Sequence, residues 1–429
     1  MRLLPLALVA VLFAGCDSGD GGDEPAPRSQ QPPSPAITHT ELGESLDALQ
    51  QAADDNGGNR AVGTGGYDAS VEYVSRALRA AGWRVRLQSF EVPMFRLERS
   101  SVRIGGRELS RRMDYQVLTY SGSGRASGRL MRLGTGCAAE EFAGLPEDAV
   151  PVVSRGECFF ASKALNAQRA GVRALIVVDE SRTDRGVPSG TLATQAVRIP
   201  VVLVADSALP RAADGTEVSV QVEASAPRQE SRNVIAETPG GSGDRVVMAG
   251  GHLDSVPGGL GINDNGSGTA ALIEAAEAIG RGPAGARVRL AFWGAEEVGL
   301  AGSRHYVRSL SREGRRRISS YLNFDMVGSP NAVTALYADG DPKLNRLLRR
   351  TAGRPLGTVA AGGSSDHAPF ESAGIPVSGL YTGGPERGPR GRPRDPCYHL
   401  ACDTEDNVDR RVLLRMARAA AEALRTLSR

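Results

Sequence analysis

Lysine is almost absent from this chain. Of 51 basic residues only Lys163 and Lys343 are lysine, and the rest are arginine. With the high alanine and glycine content, this is a compositional bias and not a functional signal. The formal net charge is only +2, so no broad basic field exists to attract nucleic acid. No apolar run is long enough to cross a bilayer; the longest, at residues 3–13, falls short. No Gly-x-Ser-x-Gly elbow occurs, which argues against a Ser-His-Asp hydrolase. No Cys-x-x-Cys pair occurs, which argues against a cysteine zinc site. The glycine-rich segment 263–268 lacks both the Gly-x-Gly-x-x-Gly order and a P-loop lysine, so it is a poor phosphate cradle. There is no internal repeat. What remains is a globular composition over 429 residues, long enough for two domains.

The N-terminus has the form of an export signal. Arg2 gives a positive start, the apolar run 3–13 follows, and small residues lead into Phe13-Ala14-Gly15-Cys16. That tetrapeptide is similar to a bacterial lipobox, in which Cys16 becomes the first mature residue and carries lipid. Phe13 stands where leucine is favoured, and an ordinary secretory signal is the competing reading. Residues 17–35 are rich in Asp, Gly, Ser and Pro with almost nothing apolar, as expected for a disordered tether. An extracytoplasmic protein is expected, either anchored to the membrane through this lipid alone or secreted, and monomeric. Cysteine usage agrees with export. Besides Cys16 there are Cys137, Cys158, Cys397 and Cys402. Local pairing would join Cys137 to Cys158 and Cys397 to Cys402, but four cysteines allow three connectivities.

Apolar periodicity gives the organisation. Residues 38–53 space Leu42, Leu46 and Leu49 as a helix, and 56–66 is a glycine-rich loop. Asp68 is placed to cap a second helix carrying Val71, Val74 and Leu78, which Gly82 stops. Residues 83–92 alternate as a strand. From 117 to 222 short β-like runs dominate (128–133, 150–153, 175–178, 201–204, 218–222), with one helix at 161–170. After Asn233 strands and helices alternate: strands at 246–249, 288–293 and 321–326, helices at 268–279 and 408–427. The fold class is therefore α/β, a mixed and mostly parallel sheet flanked by helices, with an inserted and mostly-β unit.

Five segments of the second half carry the chemistry: GGHLDSV, GINDNGSG, WGAEEVG, NFDMVG and CYHLACDT. They offer His252, Asp264, Glu297, Asp325 and His399, with Glu296 to spare. Each motif alone reads as structural. A His-x-Asp is common at strand ends, a Glu-Glu pair is usually solvated, and Asn263–Gly268 could be only a turn. Together they sit where parallel α/β sheets collect functional groups, at the carboxyl ends of strands. Imidazole and carboxylate ligands suit two ions of Zn²⁺ or a similar metal. One ion would take His252 and Asp325, the other Glu297 and His399, with Asp264 bridging. A water or hydroxide between them would be acidified, and Glu296 would take its proton as general base. Asp254 is placed to orient His252. Tyr398 could donate to the developing oxyanion. Of the other histidines, His39 lies near the tether and His305 on a helix face. His367 either lines the pocket or caps a helix. The Arg-rich segment 383–394 reads as a solvated loop.

In this order GHLDS, NDNGSG, AEE, NFDMVG and YH resemble the M28 family of di-zinc aminopeptidases. NRAVGTGGYDASVEYVSRALRAAGW is similar to that family's N-terminal segment. GCAAEEFAGL and VVSRGECFFASKALNAQRAGVRALIVVD resemble a protease-associated (PA) domain. The resemblance implies two zinc ions per chain on the five ligands named and Glu296 as base. It also implies peptide substrates with a free N-terminus, and a last ligand carried on a small disulfide loop. It divides the chain into signal (1–15), tether (16–36), first part of the peptidase domain (37–116), PA insert (117–225) and catalytic part (226–429). A carboxypeptidase, a glutaminyl-cyclase-like enzyme and a non-catalytic surface binding protein are the alternatives on the same fold.

Overall fold

The computed structural model describes residues 36–179, 186–188, 190–192, 194–209, 214–281, 285–353, 356–360, 363–388 and 391–429. Cys16, the export signal and nearly all of the tether lie outside the described residues. Among those residues no helix is long and apolar enough to cross a membrane.

Two eight-stranded sheets form the framework on which the helices pack. In chain order the strands are β1 (Arg84–Pro93), β2 (Arg96–Ile104), β3 (Arg107–Glu108), β4 (Tyr115–Val117), β5 (Gly124–Arg132), β6 (Ala149–Ser154), β7 (Leu175–Asp179) and β8 (Val201–Ala205). They continue as β9 (Glu217–Ser225), β10 (Arg228–Glu237), β11 (Ser242–His252), β12 (Ala286–Trp293), β13 (Ile318–Phe324), β14 (Ala335–Tyr337), β15 (Gly357–Val359) and β16 (Val377–Tyr381). The first sheet has the order β1-β10-β12-β11-β13-β16-β14-β15, and the second β3-β2-β9-β5-β6-β7-β8-β4. In the first sheet β12, β11, β13 and β16 are mutually parallel, and antiparallel strands flank them.

Period-two alternation gives the first sheet two apolar faces. Val247, Ala249, Leu290 and Phe292 face one core, shared with helices α1 (His39–Asp54), α2 (Gly65–Ala80), α4 (Ser267–Ile279) and the C-terminal helix Arg410–Ser428. Their neighbours Met248, Ala291 and Trp293 face a second core, with Tyr306 of α5 (Ala301–Ser309) and Phe370. The second sheet alternates likewise, with Ile176 and Val202 on one face and Val177 and Leu203 on the other. Ala164 and Ala167 of α3 (Phe160–Arg169) cover the latter face.

Three local expectations change. Strands β2 and β3 precede residue 117 but belong to the second sheet, because β2 pairs along its length with β9. Their arginines and glutamates masked the alternation of Val102 and Ile104. Helix α2 is capped by Thr64, whose hydroxyl accepts from Tyr67 N–H (3.3 Å), while Asp68 sits in the first turn and pairs with Arg232. Gly65 and Gly66 are thus helical, and Gly66 lies so close to Asn59 that a Cβ would be 2.1 Å from its carbonyl oxygen. In β1 Leu87 is exposed, because β1 is an edge strand; Phe90 and Val92 are the buried positions.

Candidate active site

The carboxyl edge of the first sheet gathers the side chains that the motifs single out. His252 is the last residue of β11, Glu296 and Glu297 follow β12, and Asp325 follows β13. Asp264 lies in the turn that leads into α4. His399 lies in the loop closed by Cys397–Cys402, with a left-handed backbone (φ 59°). Cys137 and Cys158 form the second disulfide, in the insert. Ala295 (φ 59°), Leu300 (φ 58°) and Met326 (φ 52°) are also left-handed. Non-glycine residues in this region carry backbone strain, and four of the seven among the described residues lie around this site.

Asp264 is the centre of the arrangement. Its Oδ1 is 3.1 Å from His252 Nε2 and its Oδ2 is 3.2 Å from His399 Nε2. His252 Nε2 is also 3.3 Å from Asp325 Oδ1, and His399 Nε2 is 3.1 Å from Glu297 Oε2. Three overlapping groups could hold a metal ion: His252, Asp264 and Asp325; Asp264, Glu297 and His399; and His252, Glu296 and Glu297. Glu297 Oε1 and Asp325 Oδ1 are buried without a hydrogen-bond partner. Such atoms are costly unless something else satisfies them. Four carboxylates facing two imidazoles, with two orphaned oxygens, is a donor set that fits divalent cations.

The electrostatics reflect that crowding. Burial pushes the Glu296 carboxyl well above its ordinary range, and Glu297, Asp366 and Asp325 push it further. Burial and Asp264 carry Glu297 up to about 7. Burial opposes protonation of His399, yet its bonds to Asp264 and Glu297 raise it to about 10. Burial would raise Asp264, but His252 and His399 hold it well below its ordinary value. The set binds positive charge wherever it can.

Supporting residues fix these positions. Asp254 touches His252 through its main-chain oxygen, which lies 3.0 Å from Nδ1; its carboxylate is 3.8 Å from that nitrogen. The Asp254 carboxylate instead accepts from the backbone N–H of Glu296 (3.0 Å) and Glu297 (3.2 Å), so it orients the glutamate turn. Tyr398 stacks on His399 at 3.8 Å and lines the cavity above the ligands, which has a volume of about 260 Å³. Met326, Tyr337, Val359 and Tyr381 also line it. His367 is buried against Tyr337 (4.4 Å) and leads into a short helix; it is not part of that cavity wall.

Several residues that carry the site were not assigned from sequence. The Asp403 carboxylate accepts from the N–H groups of Asn263 (2.9 Å) and Asp264 (3.0 Å). The Asn265 amide donates to the Phe324 carbonyl (2.9 Å), while its oxygen accepts from Gly268 (2.9 Å) and Met326 (3.1 Å), tying the Asp264 turn to the Asp325 strand end. Ser365 donates to Asp325 Oδ2 (2.6 Å). Arg60 is fully buried and donates to the carbonyls of Leu253, Leu260 (3.0 Å) and Gly261, on both sides of the ligand loops. Asp403, Asn265 and Arg60 all lie inside the quoted motifs. No local signal marks them, because the partners they hold in other segments lie 59 to 201 residues away in sequence.

The chain is similar to known proteins in both of its parts. Residues 233–424 match Peptidase family M28 and residues 126–210 match the PA domain. With "Probable lipoprotein aminopeptidase LpqL" of Mycobacterium tuberculosis the chain shares 40% identity over 407 residues, 86% of this chain and 80% of that one. An aminopeptidase from Aneurinibacillus sp. strain AM-1 superposes with a TM-score of 0.78 at 25% identity, covering 91% of this chain and 94% of that one. BSAP, a zinc aminopeptidase from Bacillus subtilis, superposes with a TM-score of 0.68 at 27% identity, covering 91% and 95%. An inserted PA domain and a His-carboxylate cluster at the carboxyl edge of a mixed sheet accompany these similarities, and the chain belongs to peptidase family M28.

Proposed function

We propose that this protein is a two-zinc aminopeptidase that removes N-terminal residues from peptides. The observation that carries this reading is the pair of three-ligand sets sharing Asp264. His252, Asp264 and Asp325 would hold one ion, and Asp264, Glu297 and His399 the other. Ions so held would supply Lewis-acid polarisation of a substrate carbonyl and would ease deprotonation of the attacking water.

The chain's own residues supply the rest. Glu296 lines the cavity and is not needed in either set. A carboxylate in that position suits a general base that takes the proton of the attacking water and returns it to the leaving amine. Glu296 and Asp325 also present negative charge to the substrate's free α-amino group. Tyr398 is placed to donate to the oxyanion as it develops. Asp254 fixes Glu296 and Glu297 through their backbone N–H groups. Among its relatives LpqL is a lipoprotein aminopeptidase by name, and this supports lipidation at Cys16 and an extracytoplasmic location. The two disulfides agree with an oxidising compartment. The PA insert is read as the whole second sheet, from β2 to β9.

Metal analysis of the purified protein tests this, coupled to a panel of aminoacyl-nitroanilides with and without chelator. Two zinc ions per chain and chelator-sensitive cleavage are expected. A single zinc with cyclisation of N-terminal glutamine would point to a cyclase. Cleavage of N-blocked peptides would point to a carboxypeptidase. Activity indifferent to chelator would overturn the metal reading.

A further inference from the structure

The metal-ligand cavity is walled on one side by the turn 296–300, in which the N–H groups of Gly299 and Leu300 both donate to the Glu296 carbonyl (2.8 Å each). A second cavity, of about 350 Å³, has Val298 of this turn in its own wall. The catalytic sheet and the insert build it together. Phe90 comes from β1, Tyr120 from the insert, and Arg304, His305 and Arg308 from α5. Tyr120 joins the two parts by donating to the carbonyls of Pro93 (2.8 Å) and Val298 (3.2 Å).

Topology places this groove on the edge that carries the site. β1 is antiparallel to β10 and β10 is antiparallel to β12, so β1 and β12 end on the same side. In the order β1-β10-β12-β11, β1 lies three strand intervals from the strand of His252. At about 4.8 Å per interval that is roughly 14 Å, which an extended peptide at about 3.3 Å per residue spans in about four residues.

The charge in the groove is one-sided. Arg304 and Arg308 stand one helical turn apart, and His305 stacks on Phe90 (5.3 Å). Glu91, also in the wall, is already paired with Arg228 (2.8 Å). Among the described residues neither Arg304 nor Arg308 makes an ion pair or a side-chain hydrogen bond. Burial and the neighbouring Arg308 hold His305 below its ordinary value. The groove therefore offers two unpaired guanidinium forks, which match a carboxylate in both charge and geometry.

We propose that this groove is a subsite for the free α-carboxylate of a short peptide, bound by Arg304 and Arg308 while the peptide's N-terminus lies in the metal-ligand cavity. The proposal rests on the aminopeptidase reading above, and it makes the enzyme selective for peptides of about three to five residues.

The test compares kcat/KM of the zinc-loaded protein on Leu-(Ala)n peptides from two to seven residues, each as free acid and as C-terminal amide. The free acid should exceed the amide by about tenfold near four residues, mainly through KM, and by less at either end of the series. Arg304→Gln and Arg308→Gln, singly and together, should bring that ratio toward one. Arg308 is exposed, so its variant keeps the test valid if the other fails to fold. About 0.5 M salt should shrink the ratio as well. Equal cleavage of acid and amide at every length, or a ratio that survives in the double variant, overturns the proposal. If neither form is cleaved, the aminopeptidase reading falls and this subsite falls with it.

Discussion

Both sheets have eight strands and two apolar faces, yet buried charge collects mainly around the first. Arg60, His252, Asp254, Asp264, Glu274, Asp366, Asp395 and Asp403 are buried around the first sheet. Among the described residues of the second, the buried charged groups are Lys163 and Asp179, and Arg155 pairs with Asp179 (2.8 Å). The insert is thus held by apolar packing, with Asp179 paired to Arg155 and Lys163 donating to the Thr135 carbonyl. The catalytic edge is held by hydrogen bonds that keep like charges close to one another. That arrangement costs stability, and it leaves a carboxylate-rich edge that favours positive charge.

The largest effect should come from the group with no structural task at that edge. Glu296→Gln keeps the size and backbone contacts of the residue, and Asp254 still accepts from its N–H. Two bound metals and an unchanged melting temperature are expected, with kcat lowered by roughly 10²–10⁴-fold. Single-turnover assays on leucyl-nitroanilide, with metal content measured on the same sample, check this. A variant that binds two zincs and cleaves like wild type removes Glu296 from the mechanism.

Arg60 tests whether the bonds behind the ligands do the holding. Burial lowers its guanidinium to about 10, although Asp403, Asp254 and Asp264 favour its charge. Arg60→Met leaves the carbonyls of Leu253, Leu260 and Gly261 without their donor, and should cost roughly 3–5 kcal/mol of stability. Zinc affinity, followed by competition with a chelator, should weaken about 10–100-fold. Arg60→Lys should fall between, since one ammonium cannot reproduce the fork. If Arg60→Met loses stability but releases zinc no faster, Arg60 serves the fold alone.

The strands expected at 246–249, 288–293 and 321–326 coincide with parts of β11, β12 and β13, because short apolar stretches there give way to His252, to Glu296 and Glu297, and to Asp325, the candidate ligands and base. The inserted unit was legible from 128 onward for a similar reason. What escaped was whatever depends on distant partners. Arg96 to Glu108 reads as a charged segment, since only pairing with β9 shows that its alternate residues are buried. Thr64 is hard to read as a cap because the two glycines that follow it are poor helix formers. Asp254 was legible as a partner of His252, which its main-chain oxygen meets at 3.0 Å, but the bonds of its carboxylate to the Glu296 and Glu297 N–H groups were not. Asp403 and Arg60 act across more than a hundred residues of chain, and no local pattern encodes that.

The disulfides sharpen the comparison at smaller scale, because each region has one. Replacing Cys397 and Cys402 by serine frees the loop that holds His399 left-handed. One of two zincs should then bind about tenfold more weakly, with kcat falling in step. Replacing Cys137 and Cys158 opens a longer loop in the insert (separation 21 residues against 5) and should cost more stability, roughly 3 against 2 kcal/mol. Its effect on nitroanilide cleavage should stay within about twofold. Calorimetry beside zinc titration separates the two outcomes. Equal losses of zinc affinity in both variants would mean that the insert supports the ligand edge.

The smallest effect concerns a buried charge of the first sheet that serves no ligand. Glu274, on α4, accepts from Ser45 (2.9 Å), and Ser45 accepts from Tyr73 (2.9 Å). Burial raises its carboxyl to about 7, and Glu277, Glu41 and Glu44 add to this against the bond from Ser45. The folded protein thus holds the proton more tightly than the unfolded chain. The resulting stability is complete below the ordinary carboxyl value of about 4.5 and is lost as pH rises through about 7. Glu274→Gln keeps an acceptor for Ser45 and removes the ionisation. Its melting temperature should match wild type near pH 4.5 and exceed it by about 1–3 °C at pH 8, with catalysis unchanged. If the two proteins instead run parallel from pH 4.5 to 8, the Glu274 carboxyl keeps its ordinary value. The burden of buried charge would then belong to the ligand edge alone.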